Sequence, residues 1–529
     1  MPGQPDPIDG DAFTAAIRQI ERAAAMLHEA IAAGRSEDVI QAAQEGDSCP
    51  LIIVEAANFL RDSGHQQIAL ELLERGLALD GPTVLVQHNY ARHCRAAGQL
   101  LEAARWMRSA MLRNRSSAAM ALELCEIELG IDEATAMDMV ALAVDLRWVD
   151  PPGLKSVAHL LLRSARPDIA AVPLMMLRIR KQDDAEVRGT LSELFDRHGD
   201  FPQLPLAVRQ RLGLDRIDTG ITIKAASAHD RLVQAIGPEA IARARERERS
   251  DRWIADVDDI WTLLRDQVAR REPFSFVRGG DGEGRFIAAM TPEFRTLLSG
   301  GDADAMLRQI WLNWFGQDVG EVERSRLEGL IHQLAQAFAN ADLVGLTSAA
   351  VIDHDVAHVG YRTVLDRWMD GLSAAPGQFY TDASNPLFLH NADPFLRRLL
   401  QGERFLGLIC PHHDLAPRLG AYLGIHDVAA HIVPGETPLG RPEERQNRGE
   451  HFPRVFDRVM AEIDVPFPGA CYLIGAGLLG KIYADRVRQL GGIAIDIGAL
   501  VDGWVGINSR RRAFIELAAN PLPSPATAG

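Results

Sequence analysis

The sequence predicts two units of different fold class: an all-α helical-repeat domain over residues 11–220 and an α/β domain with a mostly parallel sheet over residues 225–515. In the first part, apolar residues recur at the i, i+3, i+4 and i+7 spacing of amphipathic helices, with no strand-like alternation. In the second part, short apolar runs alternate with amphipathic segments, which is typical of parallel strands covered by helices on both faces. Residues 1–10 and 516–529 are predicted to be disordered.

Length and composition fit a soluble protein of two or three domains. The chain has 529 residues, of which 47% are hydrophobic and 24% charged, as in ordinary globular proteins. Its formal net charge of −16 argues against non-specific binding to nucleic acid or anionic lipid. We therefore expect no nucleic-acid partner.

The cysteines and the amino terminus predict a cytoplasmic location. The five cysteines are scattered, odd in number and without metal-ligand spacing, which fits reduced thiols. The chain opens on Met-Pro-Gly-Gln-Pro-Asp-Pro, without the basic and apolar regions of a secretory signal. No apolar run approaches the length that a membrane-spanning helix needs, so we expect no transmembrane segment.

The helical part carries an internal repeat. Gly64 and Gly98 are separated by roughly 34 residues, a spacing typical of helix–turn–helix repeats, and the same offset relates two further pairs of small residues. These pairs are Ala69 with Ala103 and Gly76 with Ala110. A third, looser copy places Gly130 with Glu133-Ala134 at a slightly shorter period. Apolar stripes accompany the repeat: Ile68, Ala69, Leu72, Leu73 and Leu77 form one, and Ala103, Ala104, Met107, Ala110 and Met111 form another.

A period of roughly 34 residues with small residues where paired helices touch resembles the tetratricopeptide repeat. The resemblance covers roughly residues 40–145 and lacks the full set of aromatic positions. It implies a concave surface that holds another polypeptide, so we expect a protein partner there. The alternative is a helical bundle whose spacing is coincidental. In both cases the histidines and cysteines of this part (His88, His93, Cys94 and Cys125) are predicted to be packing or surface positions.

The second part opens with a predicted helix over residues 250–271, whose apolar face includes Trp253, Ile254 and Trp261. Arg271-Glu272-Pro273 ends it. Six apolar runs then predict strands over 274–278, 342–347, 405–410, 427–433, 470–474 and 493–497. The predicted helices between them include 321–340, 359–370, 413–423, 452–463 and 478–490.

Polar residues and glycines gather at the end of each predicted strand. In parallel sheets, ligands bind outside the carboxyl ends of the strands, so these residues are candidates for one binding crevice. In chain order they are Gly280, Asp281 and Glu283; Thr347 and Ser348; His412, His413 and Asp414; Gly435 and Glu436; Gly475, Gly477 and Gly480; and Asp496, Gly498 and Asp502.

The segment 274–283, FSFVRGGDGE, carries the strongest indication of chemistry. If it is extended, Asp281 and Glu283 lie on one face, because residues i and i+2 of a strand do so. Two carboxylates there favour Mg²⁺ or Mn²⁺, which commonly share such sites with substrate phosphates. Gly280 and Gly282 would let the backbone approach a bulky anion. The alternative is a glycine-rich solvated turn.

A second glycine pattern, Gly475-x-Gly-x-x-Gly480, follows a predicted strand and opens a helix, and Asp496 lies about 20 residues further on, which is the outline of a dinucleotide-binding fingerprint. However, the pattern lies near the end of the chain rather than in the first strand–helix unit, and no acid–base pair for hydride transfer accompanies it. The favoured interpretation is a glycine turn beside a nucleotide or sugar, and the alternative is NAD or NADP binding.

The segments PFSFVRGGDGE and LIGAGLLGKIYADRVRQLGGIAIDIGALVDGW, in this order, resemble bacterial GT-D-fold glycosyltransferases. These sugar-nucleotide-dependent enzymes were first recognised as a domain of unknown function in glycosylation loci of surface proteins and polysaccharides. The resemblance spans roughly residues 255–510. Between the two segments it rests on the strand–helix rhythm and on FLGLICPHHDLAPRLG and HFPRVFDRV.

The resemblance implies a Rossmann-like catalytic domain with an Asp-x-Glu metal motif, here Asp281-Gly282-Glu283. The Mn²⁺ or Mg²⁺ would bridge the diphosphate and stabilise the departing nucleoside diphosphate. Arg278 is expected to bind a phosphate or carboxylate, with an ion pair at the strand end as the alternative. Gly279 departs from the family pattern without affecting the carboxylates. The donor site is expected to include Arg278, Gly280, Gly475, Gly477 and Asp496.

The general base for the acceptor hydroxyl is expected among residues at the predicted strand ends. The candidates are His412, His413, Asp414, Glu436 and Asp496. Asp414 has a structural alternative as the cap of the helix 413–423. His412 and His413 are the two that we assign as catalytic, beside Asp281 and Glu283.

The sequence therefore predicts a metal-dependent glycosyltransferase that moves a sugar from a nucleoside-diphosphate sugar to a protein- or glycan-linked acceptor. Its helical repeats would recruit the acceptor or a partner enzyme. One alternative is a metal-dependent hydrolase or phosphoesterase, in which Asp281, Glu283, His412 and His413 hold a cation that activates water. Another is an interaction protein that has lost catalysis and uses its repeats as a scaffold.

Overall fold

A computed structural model of the chain describes residues 10–79, 83–114, 117–132, 150–164, 166–298, 301–354, 356–374, 377–384, 393–435, 449–509 and 518–523. The chain forms two compact units, Met1–Ile217 and Asp218–Gly529. No helix of the described segments has both the length and the apolar character needed to cross a membrane.

The first unit is helical in all its described elements. Its α-helices are α1 (Gly10–Ala32), α2 (Ser36–Glu45), α3 (Pro50–Asp62), α4 (Gln66–Leu77), α5 (Val84–Ala96), α6 (Leu100–Arg113), α7 (Ala118–Ile131), α8 (Pro151–Leu162), α9 (Ala171–Ile179), α10 (Ala185–His198) and α11 (Leu206–Leu212). A 3₁₀ turn, Pro167–Ala170, precedes α9.

The predicted repeat period is present in the positions of the helices. α3, α5 and α7 begin at Pro50, Val84 and Ala118, so the starts of alternate helices are equally spaced along the chain. α1 packs on α2, α3 on α4 and α5 on α6. The turns within these three pairs contain Gly34, Gly64 and Gly98, with φ of 67°, 87° and 76°. A Cβ on any of them would meet nothing within 4 Å, so the left-handed backbone conformation favours glycine there.

The small residues of the repeat lie where the prediction placed them, since Ala69 and Ala103 are fully buried. Of the looser third copy, Glu133 and Ala134 lie outside the described residues. The four histidines and cysteines singled out in the sequence occupy packing positions: His93, Cys94 and Cys125 are buried, and the half-buried His88 contacts Glu123.

The second unit contains a seven-stranded sheet. Its strands are β1 (Phe274–Gly279), β2 (Leu343–Leu346), β3 (Phe379–Asp382), β4 (Phe405–Cys410), β5 (Asp427–Ile432), β6 (Cys471–Ile474) and β7 (Ile493–Asp496). All are parallel, in the order β3-β2-β1-β7-β6-β4-β5. The predicted α/β class with a mostly parallel sheet is confirmed.

The α-helices of this unit are α12 (Ile217–Glu248), α13 (Val257–Arg270), α14 (Asp281–Met290), α15 (Pro292–Arg295), α16 (Asp302–Phe315), α17 (Arg324–Asn340), α18 (Ala349–His354), α19 (Val356–Asp370), α20 (Asp393–Leu400), α21 (Leu415–Leu423), α22 (Phe456–Glu462), α23 (Gly477–Gln489) and α24 (Leu500–Trp504). Short turns, Val319–Glu321 and His451–Val455, precede α17 and α22.

Two apolar clusters cover opposite faces of the sheet, because successive strand residues point to opposite sides. Val277 belongs to one cluster and its neighbour Phe276 to the other. The first cluster includes residues of α12, α14, α16, α17, α19, α22 and α23. The second includes residues of α13, α20, α21 and α24. Both faces are therefore covered, as the near-continuous apolar strands require.

All six predicted strands are found, but the seventh, β3, was missed. Of its four residues, Phe-Tyr-Thr-Asp, the first is exposed, Tyr380 and Asp382 are half-buried, and Thr381 is buried. Because Thr and Asp interrupt its short sequence, this edge strand lacks the continuous apolar run that identified the other strands. Within the described sheet it pairs with β2, and an isolated bridge joins its Tyr380 to Trp253.

The predicted helix over residues 250–271 begins later than expected, at Val257. Asp256 ends the preceding segment by accepting a hydrogen bond from the N–H of Asp258, which is the usual role of an aspartate at a helix start. Trp253 and Ile254, predicted on the helix face, lie beside β3 instead, and the Ile254 N–H donates to the Tyr380 carbonyl at 2.8 Å.

The ends of the chain differ from the prediction in their described parts. α1 begins at Gly10, within the span predicted to be disordered. Within the predicted disordered tail, the Leu522 N–H donates to the Trp504 carbonyl at 2.9 Å, and the Arg418 side chain donates to the Leu522 carbonyl at 3.0 Å. Residues 1–9, 516–517 and 524–529 lie outside the described residues.

Candidate functional site

The candidate site lies at the carboxyl ends of β1, β7, β6 and β4, which are neighbours in the sheet. From β4 the chain continues into α21, on the second face. From the adjacent β6 it continues into α23, on the first face. The same divergence separates β1, followed by α14, from β7, followed by α24. Adjacent parallel strands whose connections leave over opposite faces create a crevice at this edge.

The predicted pairing of Asp281 and Glu283 on one face is wrong. β1 ends at Gly279, and Asp281 is the first residue of α14 rather than part of an extended segment. Residues two apart on a helix point about 200° apart. The Asp281 side chain is 46% exposed and lies 3.2 Å from Arg285, whereas Glu283 is buried.

Gly280 and Gly282 were predicted to let the backbone approach an anion, but packing alone explains why residue 282 is a glycine. A Cβ on Gly282 would lie 1.7 Å from Cζ2 of Trp314, so the indole ring occupies the space that a side chain would need. A Cβ on Gly280 would meet the side chain of Glu283 at 3.4 Å, which is an ordinary contact. Gly280 therefore keeps room beside its backbone, at the start of α14.

Glu283 belongs to a buried ion-pair network that includes Lys481, a residue the sequence analysis missed. The Lys481 Nζ lies 2.8 Å from Glu283 Oε1 and 3.3 Å from Asp496 Oδ2. It also donates to the Gly477 carbonyl at 2.9 Å. Glu283 Oε2 accepts the Gly280 N–H at 2.8 Å. One lysine thus joins the start of α14, the start of α23 and the end of β7.

The protonation of this network follows from its charges. Burial favours the neutral amine of Lys481, but the Asp496 and Glu283 carboxylates outweigh it, so the pKa of Lys481 is raised. Burial likewise opposes ionisation of Asp496, yet Arg278 and Lys481 hold the pKa of that carboxyl below its usual value. Both groups are therefore charged at neutral pH.

Arg278, near the end of β1, completes the network. It forms an ion pair at the strand end, which was the alternative to phosphate binding in the sequence analysis. Its Nη2 donates to Asp496 Oδ1 at 3.2 Å, and its Nη1 donates to the Ala383 carbonyl at 3.2 Å. A Cβ on Gly498 would lie 1.7 Å from this Nη2, and Gly498 has φ of +52°. The Arg278 side chain as a whole is 23% exposed, although its Nε atom is buried.

The glycine turn between β6 and α23 is tightly packed. A Cβ on Gly475 would lie 2.7 Å from the Gly498 carbonyl and 2.7 Å from Cγ1 of Val501. Internal packing therefore accounts for Gly475 without a ligand. Gly477 has φ of +54°, which favours glycine, and it begins the 13-residue helix α23.

The residues after β4 separate into a buried and an exposed group. His412 is buried, and its Nε2 lies 2.7 Å from Oδ1 of Asp502 in α24. His413 is exposed. Asp414 stands at the start of α21 but makes no side-chain capping bond, and instead pairs with Arg418 at 2.6 Å. Glu436 lies outside the described residues.

The structure thus brings Arg278, Glu283 and Asp496 together, with Gly280 and Gly477 hydrogen-bonded to members of the same network.

The described residues contain no group of three or more His, Cys, Asp or Glu placed to hold a metal ion. The expected two-carboxylate centre does not fit this geometry, because Asp281 points elsewhere and Lys481 already neutralises Glu283. The four-residue centre of the hydrolase alternative is likewise not assembled in the described segments.

Lys481 carried a weak signal in the sequence. It follows Gly480 directly and lies four residues after Gly477, one turn beyond the start of a helix that follows a strand. A lysine in this position directs its side chain back toward the start of the helix. What the sequence could not show is that Glu283 and Asp496 face it from two other elements.

Comparison with known proteins leaves the family open: no protein-family model matches the chain, and no curated protein matches it in sequence.

Proposed function

We propose that the second unit is a glycosyltransferase that uses a nucleoside-diphosphate sugar as donor. The observation that carries this proposal is the concentration of anion-binding groups at one edge of the parallel sheet. Arg278 lies there with a partly accessible side chain. α14 and α23 both begin there, after glycine-containing turns, and helix N-termini favour anionic groups such as phosphates.

The chemistry of glycosyl transfer gives these groups a role. When the bond between the sugar and the diphosphate breaks, negative charge develops on the departing nucleoside diphosphate. Fixed donors in a crevice with restricted access to water stabilise such charge without reorganising. Arg278, held by Asp496 and the Ala383 carbonyl, is suited to contact a phosphate oxygen in this way.

The buried pair of Lys481 with Glu283 supports the same proposal indirectly. It fixes the starts of α14 and α23 relative to the end of β7, because all three contribute groups to one ion-pair network. Lys481 is a positioning residue here, since Glu283 and the Gly477 carbonyl already accept its hydrogen bonds. The Mn²⁺ or Mg²⁺ that the resemblance implies stays a prediction, and no step of the proposal depends on it.

For the first unit we propose recruitment of an acceptor protein or a partner enzyme. Three alternate helices of this unit, α3, α5 and α7, begin at a constant interval along the chain, and stacked helix pairs present extended binding surfaces. We also infer a cytoplasmic location, which the five free cysteines support.

A donor screen tests the proposed activity. The full chain is mixed with UDP-, GDP-, dTDP- and ADP-linked hexoses, with EDTA or with Mn²⁺. Binding is followed by calorimetry, and release of the nucleoside diphosphate by chromatography. We expect one donor class to bind and to be hydrolysed slowly, and Arg278→Met to weaken its binding about tenfold or more. Arg324→Met, at an exposed pair with Glu328, is the matched control. Absence of binding to every donor contradicts the proposal, and turnover of sugar phosphates lacking a nucleotide favours a hydrolase.

A further inference from the structure

The buried contact between His412 and Asp502 lies at the same edge of the sheet and is not explained by the donor site. β4 ends at Cys410, and the turn that follows is anchored by a contact of the His412 N–H with Cys410 Sγ at 3.5 Å. Asp502 belongs to α24, which follows β7. The 2.7 Å contact between the two side chains therefore joins two segments that are distant along the chain.

The chemistry of this contact determines which ring nitrogen is basic. An ionised carboxylate only accepts hydrogen bonds, so the Nε2 of His412 carries the hydrogen and donates to Asp502 Oδ1. The lone pair is then on Nδ1. Among the described residues, none hydrogen-bonds to Nδ1. The His412 side chain is 4% exposed, but a histidine oriented by a carboxylate, with its other nitrogen unpartnered among the described residues, has the arrangement of a general base.

The His412–Asp502 pair lies at a distance from the donor site that suits the binding of an acceptor. β4 is separated from β7, which carries Asp496, by β6 alone. Neighbouring strands lie about 4.8 Å apart, so the carboxyl ends of β4 and β7 are roughly 10 Å apart. A diphosphate near Arg278 and an acceptor hydroxyl near His412 would leave room for the transferred sugar between them.

We propose that His412, oriented by Asp502, is the general base that receives the proton of the acceptor hydroxyl; this inference rests on the proposed glycosyl transfer. The acceptor oxygen forms a bond to the anomeric carbon while its proton passes to His412 Nδ1. The bond between the anomeric carbon and the phosphate oxygen breaks, and its electron pair leaves with the nucleoside diphosphate. The Asp502 carboxylate stabilises the imidazolium that results.

The competing explanation is that the contact only holds the turn after β4 to α24. A comparison of two nucleophiles separates the explanations. Water must lose a proton when it attacks the sugar, whereas azide is already an anion and needs no base. The probe is the best-bound hexose nucleotide of the donor screen, offered to the full chain in buffer or in sodium azide. Release of the nucleoside diphosphate and formation of glycosyl azide are both measured.

We expect His412→Asn to lower hydrolysis by about 10²-fold or more, within the usual range for loss of a general base, while azide transfer and donor binding stay close to the wild-type values. Asp502→Asn should show the same selective loss in milder form. His426→Asn, an exposed histidine just before β5, is the control. Equal loss of water and azide reactions, or unchanged hydrolysis, overturns the base assignment while the proposed function stands. A wild-type protein that binds no sugar nucleotide overturns both.

Discussion

At the scale of single residues, the main finding is that Glu283 faces a lysine where a metal ion was expected. Both of its carboxylate oxygens have protein partners, Lys481 Nζ and the Gly280 N–H. The neighbouring Asp281 is accessible and pairs with Arg285 at 3.2 Å. The two acidic residues of one motif therefore perform different tasks, and their substitutions should have different consequences.

The first prediction concerns the buried ion pair. Lys481→Met leaves Glu283 and Asp496 without their shared cation, and we expect the free energy of unfolding to fall by about 3–5 kcal/mol, as when one partner of a buried pair is removed. Glu283→Gln should also destabilise the fold. The loss of unfolding free energy in the double variant should be at least about 1 kcal/mol smaller than the sum of the losses in the two single variants.

The measurement is urea unfolding of the four proteins of this double-mutant cycle. Arg324→Met serves as the control, because its pair with Glu328 is exposed at both ends and should contribute about 0.5 kcal/mol or less. Strict additivity of Lys481→Met and Glu283→Gln would show that the pair does not form.

A second prediction distinguishes packing from ligand contact at Gly282. An added Cβ would lie 1.7 Å from the Trp314 ring, so Gly282→Ala should destabilise the fold by about 1–3 kcal/mol, as overpacking does. Trp314→Ala in the same chain should recover part of this loss, because it removes the obstructing ring. Gly280→Ala is the matched control, since its nearest neighbour is 3.4 Å away.

The readouts are thermal unfolding and donor binding. A Gly282→Ala protein with unchanged stability but lost donor binding would restore the original interpretation, in which the backbone at Gly282 approaches the substrate.

At the scale of elements, the repeat helices contain a buried histidine that should make the first unit sensitive to acid. The ring of His93 in α5 contacts Asn58 Oδ1 of α3 at 3.0 Å. Burial, with smaller contributions from Arg61 and Arg92, lowers the pKa of His93 to about 4. An unfolded histidine binds its proton near pH 6.5, so the unfolded state takes up a proton first as the pH falls.

The third prediction follows from this difference in proton uptake between the unfolded and folded states. The contribution of His93 to the free energy of unfolding should be constant above about pH 6.5 and fall by up to roughly 3 kcal/mol between pH 6.5 and pH 4. His93→Gln should remove most of this dependence. The measurement is urea unfolding of residues 1–217 by circular dichroism at pH 7.5 and pH 5. His65→Gln, at an exposed position, is the control. A pH dependence that is the same in both variants would assign the effect to other groups.

At the scale of the whole molecule, the division into two units makes the proposed roles separable. The boundary at Ile217 and Asp218 lies close to the predicted one, but α12 extends from it as one helix. Ala225, Ala228, Leu232 and Ile236 of α12 belong to the core of the second unit. A fragment of that unit should therefore begin at residue 218, because a start at 225 would remove about two turns of a core helix.

The fourth prediction concerns that fragment. Residues 218–529 should fold, bind the donor and hydrolyse it slowly, but transfer sugar poorly to the physiological acceptor, because the proposed recruitment surface is missing. Donor hydrolysis and acceptor transfer are compared with those of the full chain, and added residues 1–217 serve as the control for recruitment without a covalent link. A soluble fragment with full acceptor transfer would contradict the recruitment role, and an insoluble fragment would favour a structural one.

The sequence by itself determined the local patterns of this protein. Six strands were predictable because their sequences are nearly continuously apolar; five of these strands are largely buried, while β5 has no buried residue. The period of the helix repeat was predictable because each copy packs the same small residues. Even the candidate edge was predictable, since polar residues and glycines follow nearly every strand. Only β3 escaped this reasoning, because its sequence, Phe-Tyr-Thr-Asp, is not a continuous apolar run.

Only the tertiary structure decided which of these residues face each other. The sequence could not show that Asp281 begins a helix, because a glycine-rich stretch is compatible with a strand end, a turn or a helix start. It could not reveal the contacts of Lys481 with Glu283 and Asp496, or of His412 with Asp502, because each joins elements far apart along the chain. The free energy of such buried pairs depends on three-dimensional distance and desolvation, which local sequence patterns do not encode.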